Sequence, residues 1–164
     1  MVVIMSLAAP GAAQRLSPHE THEFTVDGAK ITISYGRPSM RGRKIFGALV
    51  PYNKVWMPGA DEATTFETDT ALQFGTVKLP AGRYSLYTMP SEKQWTLIIN
   101  KKTGQWHTMY AAGEDFAKLP MTAETLTTPV EQLTISAVSR PQGGGAVQLE
   151  WETTRFSVPF TVAR

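Results

Sequence analysis

There is no cysteine among the 164 residues of this chain. Disulfide staples, thiolate metal ligands, a nucleophilic thiol and a lipid-modified cysteine at a leader junction are therefore excluded. Histidine is scarce too: His19 and His22 sit near the start and His107 far from both. A zinc site normally takes three or four such ligands, so no metal and no cofactor is expected. Excess charge is missing as well, since 16 Lys and Arg against 14 Asp and Glu leave a net +2. That balance gives no footprint for nucleic acid. No apolar run approaches the roughly 20 residues of a membrane span. There is no G-x-S-x-G elbow, phosphate-binding P-loop, dinucleotide fingerprint or H-E-x-x-H. The common hydrolase, kinase and dehydrogenase classes lose weight accordingly, although a constellation assembled in space leaves no local motif.

What is present begins with a short apolar run, VVIMSLAA at 2–9, followed by PGAAQ at 10–14. This is the apolar stretch and small-residue end of a secretory leader, with cleavage expected after Ala13. Its usual positively charged start is missing, which points to a start upstream of Met1. Residues 1–14 read as a leader remnant and 15–164 as one domain, periplasmic or secreted. A chain of this size buries roughly 68–70% of its unfolded surface and needs no staples.

Beyond the leader the pattern is β almost throughout. Apolar residues alternate with Thr, Ser, Gln or Glu at 31–35, 133–137, 147–152 and 156–162, the mark of half-buried antiparallel strands. Further strands are expected at 22–27, 64–68, 71–79, 83–89, 95–100 and 105–110. Asp27-Gly28 is a tight-hairpin dipeptide, and Pro159 inside the last run places it at an edge or a bulge. Helix is confined to short turns at 42–49 and 113–119. About ten short strands with turn signals between them predict an all-β antiparallel sandwich, Ig-like or jelly-roll.

One connection breaks this rhythm. Residues 35–67 pack YGRPSMRGRKIFG and VPYNKVWMPGADEATTFE between plain strands. Loops this long are uncommon in compact domains unless functional or disordered. Ile45, Phe46, Leu49, Tyr52, Val55 and Trp56 make this one too apolar for a solvated linker.

The segments GRKIFG (42–47), LVPYNKVWMPGADEAT (49–64), LPAGRYSLYTMP (79–90) and the WTLIIN…QW run (95–106) resemble the uncharacterised, typically exported bacterial family catalogued as domain of unknown function 2911. The resemblance spans roughly 31–162 and implies no activity. The family's tryptophan loop reads Trp-Arg-x-Gly-Ala-Asn-Glu-Ala-Thr, whereas this chain has Met57 for the arginine and Asp61 for the asparagine. If that arginine holds an anion in relatives, this chain has lost it, or Arg41 or Arg43 takes over. Asp61 adds negative charge beside Glu62.

The loop also supplies the candidate site. Arg37, Arg41 and Arg43 could clamp a phosphate or carboxylate, because guanidinium forks match those groups; the blander reading is internal salt bridges. The cluster has no interleaved aromatics, which argues against single-stranded nucleic acid. Asp61 and Glu62 could act as acid and base if their pKa values were driven apart. Equally, Glu62 could accept backbone bonds and pair with Arg41 or Arg43 to hold the loop. Trp56, between Pro51 and Pro58, is the aromatic best placed to stack on a ligand; Trp151 alternates with Val147 and Leu149 and reads as core. The expectation is a non-catalytic exported domain whose surface site, Arg37, Arg41, Arg43, Trp56, Asp61 and Glu62, takes a small polar or anionic ligand, a glycan or an envelope component. The alternatives are a hydrolase using Glu62 or Asp61 as general base, and a loop that serves only the fold. Oligomeric state is not legible.

Overall fold

The computed structural model describes residues 17–163, so the leader expected at 1–14 lies outside them. Nine strands follow in chain order: β1 (His19–Val26), β2 (Ala29–Gly36), β3 (Thr65–Thr68), β4 (Leu72–Phe74), β5 (Val77–Leu79), β6 (Gly82–Met89), β7 (Trp95–Asn100), β8 (Asp115–Ser139) and β9 (Gly145–Val162). Hydrogen bonds join them into a single open antiparallel sheet of order β1-β2-β3-β6-β7-β8-β9-β4-β5. The all-β antiparallel class is as expected. The finer expectation, a two-sheet sandwich, is not what this strand order shows. Helix among the described residues is one 3-10 turn, Ala112–Glu114.

Alternation builds the strands as it should. On β2, Ala29, Ile31, Ile33 and Tyr35 are buried, while Lys30 between them is exposed. The Asp27-Gly28 hairpin forms with φ of 46° and 81°, the left-handed pair that matches strand twist in a two-residue turn. Three expectations fail for local reasons. The run 71–79 is a hairpin, β4 to β5, because Gly75 turns at φ 58°. Residues 147–152 and 156–162 are one strand, β9, because Thr153 to Arg155 carry no turn residue. Residues 105–110 form no strand and make only a Glu62–Trp106 bridge.

β8 and β9 make a long ribbon that bends. Between the pairs Thr125–Thr154 and Thr134–Glu150, β8 advances nine residues while β9 retreats four. The surplus on β8 must bulge, which bends a ribbon and increases its twist. Glu152 sits at the bend with φ 56°. Pro159, exposed, falls between the β9 residues paired to β8 and those paired to β4, where its missing N–H costs no ladder bond.

The core draws on both ends of the sheet and on the long loop, with Ile31, Ile33, Leu86, Leu97, Leu133, Ile135, Leu149 and Trp151 joined by loop residues Ile45, Phe46 and Val50. An aromatic cluster fastens the loop. Trp56 stacks on Trp151 with ring centroids 6.1 Å apart and planes 14° from parallel. Phe46 meets Trp95 edge-on at 5.0 Å and Phe156 at 5.4 Å. Such pairs contribute about 0.5–1.5 kcal/mol each beyond their burial.

Candidate functional site

Residues 37–64, between β2 and β3, are fastened in four places. Met40 N donates to Glu131 O at 2.8 Å and Leu133 N to Pro38 O at 3.0 Å, so the first stretch runs along β8. Ile45 N donates to the Glu152 carboxylate at 2.6 Å. Trp56 exchanges two backbone bonds of 2.8 Å with Thr88 of β6. Finally Ala63 N donates to Gln105 O and His107 N to Asp61 O, each at 2.8 Å. Gly36 is required where the loop returns, because a Cβ there would collide with the Ala60 carbonyl.

This path divides the expected site residues. Arg37 is bound internally: Nε donates to Leu133 O at 2.9 Å, one Nη to Glu20 Oε2 at 2.7 Å and the other to Thr134 Oγ1 at 2.9 Å. Its guanidinium also lies 5.8 Å from the Tyr35 ring centroid. Arg41 and Arg43 are exposed. Arg43 is held by its own loop, donating from Nε to Met40 O and from Nη2 to Ser39 O. Both line an open cleft of about 590 Å³ together with Trp56, Met57, His107 and Tyr110. Met57, one of the two departures from the family pattern, thus stands in the cleft wall.

Glu62 lines a different cleft, of about 350 Å³, with His19, Ser34 and Arg83; its Oε2 lies 3.9 Å from His19 Nδ1. Asp61, at φ 64°, keeps a buried carboxylate oxygen that has no hydrogen-bond partner among the described residues, as does the Gln105 side-chain carbonyl. The expected single hollow uniting arginines and acids is therefore two hollows, separated by the pairing of 61–63 with 105–107.

The larger cleft is also lined by Tyr87 and Tyr110, which the sequence did not single out as a site. Tyr110 donates its hydroxyl to Asp115 Oδ2. Burial, reinforced by that bond and charge, pushes its phenol well above the usual range. Tyr87 donates to Met109 O at 2.7 Å and is likewise raised by burial. Neither phenol is suited to act as a base near neutral pH. Tyr87 comes to the cleft beside the Trp56–Thr88 pairing and Tyr110 follows the pairing of 61–63 with 105–107; no local pattern announces either. Among the described residues no three His, Asp or Glu side chains converge to hold a metal. None of their helices is long and apolar enough to cross a membrane.

The fold and cleft define an all-β protein with a mixed cationic and aromatic surface hollow. The chain belongs to the family described as protein of unknown function DUF2911, which it matches over residues 17–160. No curated protein and no solved structure matches it.

Proposed function

We propose that this protein is a non-catalytic binding domain that holds a small anionic ligand in the larger cleft. One observation carries the reading: the formally charged side chains among the described residues lining that hollow are Arg41 and Arg43. At about 590 Å³ it falls within the usual size of small-molecule sites. Trp56 contributes a partly exposed ring held in place by Trp151.

Hydrolysis by Glu62 would belong to the smaller cleft, which it lines with His19 and Arg83, and not to the one that Arg41 and Arg43 line. The purely structural reading fits Arg37 best; Arg43 is also tied to Met40 O and Ser39 O, yet it and Arg41 line the cleft. Calorimetric titration with phosphate, glucuronate and a set of carboxylates is the direct test. At least one anion should bind, and Arg41→Gln with Arg43→Gln should abolish the heat while circular dichroism shows the variant still folded. Silence across the whole set, or equal binding by the double variant, rejects the proposal.

Export belongs to the same reading and is supported by the apolar run at 2–9. Recovery of the protein from the cytoplasm with residues 1–14 intact would reject it. We also read the bent sheet as two facing layers, the one-sheet counterpart of a sandwich, because Ile135 N donates to Tyr35 Oη at 2.9 Å. An experimental structure in which β2 and the 133–138 part of β8 do not face each other at roughly 10 Å would refute this.

A further inference from the structure

The smaller cleft gathers side chains that the sequence keeps apart. We infer that it is a second site with chemistry of its own, a serine esterase centre acting on a small carboxylic ester. Ser34 is its nucleophile, His19 its general base and Glu62 the positioning residue that orients the imidazole. The binding reading above concerns the larger cleft, and this inference goes beyond it and does not depend on it.

Sheet register assembles the first pair. Side chains two apart on a strand share a face, so His19 and Thr21 of β1 point the same way, and Thr21 pairs directly with Ser34 of β2. His19 is the diagonal neighbour of Ser34; its direct partner is Gly36, which puts no side chain in its way. The imidazole Nε2 lies 3.0 Å from Ser34 Oγ, and Thr21 Oγ1 lies 2.9 Å from the same oxygen. With Thr21 donating to Ser34, the serine proton is left for Nε2, which accepts it in the tautomer protonated at Nδ1.

The long loop supplies the acid. Its backbone crosses Gly36, where the Ala60 carbonyl fills the place a Cβ would take. Two residues on, Glu62 Oε2 stands 3.9 Å from His19 Nδ1. That exceeds hydrogen-bond length, but catalytic contacts in unliganded sites are often long and tighten around substrate. Hydroxyl, imidazole and carboxylate thus stand in the order that activates a serine. The three come from β1, β2 and the loop, so no local motif marks them.

The rest of the cleft suits the reaction. Arg83 also lines it, a cation for the negative charge that develops on the carbonyl oxygen. Thr65, Ala63 and Gly104 complete the wall with small residues, and about 350 Å³ is near the lower end of small-molecule sites. The side chains of His19 and Glu62 are 31% and 41% exposed, so an ester reaches them from solvent. Ser34 Oγ bonds to the ester carbonyl carbon and passes its proton to His19 Nε2. The bond from carbon to the alkoxy oxygen breaks, and the leaving group takes that proton and departs as the alcohol. Water then attacks the acyl-serine and gives a proton to Nε2; the bond to Oγ breaks, and Oγ takes the proton back. Ester and water become acid and alcohol, with no other reactant.

The test uses the whole chain, with p-nitrophenyl acetate as substrate and a fluorophosphonate as covalent probe. The fluorophosphonate should attach to Ser34, as located by peptide mass spectrometry, and Ser34→Ala should lose both adduct and turnover. His19→Gln changes an exposed side chain. It should lower kcat at least ~100-fold with an unaltered circular dichroism spectrum. Glu62→Gln should lower kcat at least ~10-fold while KM and the melting temperature hold, a split that a merely structural carboxylate would not produce. No adduct at Ser34, or turnover that survives His19→Gln, overturns the inference. An unchanged kcat in Glu62→Gln overturns the role given to Glu62.

Discussion

Two ends of one basic stretch behave in opposite ways. Arg37 follows β2 directly, where the chain still runs beside β8, with Gln132 Nε2 donating to Arg37 O and Leu133 N donating to Pro38 O. That path lays the guanidinium along β8, where Leu133 O, Thr134 and Glu20 occupy it, and its side chain is only 17% exposed. Four residues later the chain turns away, with Arg41 at φ 51° and Gly42 at φ 72°. Arg41 and Arg43 emerge on the edge of the cleft. Residue type is identical; the course of the backbone decides whether an arginine is bound along β8 or stands exposed at a cleft.

The widest separation should come from removing each kind of arginine. Arg37→Ala leaves a carbonyl, a hydroxyl and a carboxylate without their donor, and should lower stability by about 2–4 kcal/mol in urea unfolding. A loss below about 0.5 kcal/mol, the level of an ordinary surface substitution, would dissolve the contrast. Arg43→Gln should do the reverse, weakening an anionic ligand by about tenfold, or ~1.4 kcal/mol, while the urea midpoint barely moves. A midpoint shift as large as that of Arg37→Ala would make both arginines structural.

Asp61→Asn sharpens the comparison from the acid side. Its buried carboxylate oxygen, without a hydrogen-bond partner among the described residues, is a cost that a neutral amide reduces, and Asn tolerates the positive φ equally well. Stability should rise by about 1 kcal/mol in the same urea assay; a fall would show that the carboxylate has a partner in solution.

Smaller effects appear in pH dependence. The hydrogen bonds from His22 and Arg37 hold Glu20 below its ordinary 4.5. Its contribution is thus present above 4.5 and lost as pH falls through the lowered value. Glu20→Gln should therefore flatten the acid limb of a stability–pH curve, and an unchanged limb would separate Glu20 from Arg37's network. At the other extreme, burial raises Tyr35, Tyr84, Tyr87 and Tyr110. The unfolded chain then loses phenol protons first, so stability should decline as pH climbs past the ordinary 10. Spectrophotometric titration showing these phenols ionising at 10 in the folded protein would contradict that.

Much of this molecule was readable from residue order alone. Period-two alternation marks one buried face per strand whatever the strand pairs with, so β2 and parts of β8 and β9 stood out, as did the Asp27-Gly28 hairpin; β6 and β7, buried on both faces, were expected only as further strands between turn signals. The density of large apolar residues in 37–64 correctly indicated a packed connection, because such surface cannot remain in water. Pairing partners did not follow, since alternation is blind to which strand lies alongside; hence the single bent sheet and the fusion of two expected strands into β9. Nor did the loop's fastenings, Glu131 and Glu152, which lie about a hundred residues from the groups they hold. The same limit applied to the site. Sequence supplied arginines, acids and Trp56, but only three-dimensional folding set Arg37 against β8, put Glu62 in a separate hollow and brought Tyr110 into the cleft that Arg41 and Arg43 line. Local chemistry is written residue by residue; which groups share a cavity depends on contacts between distant segments, and those exist only once the chain has closed on itself.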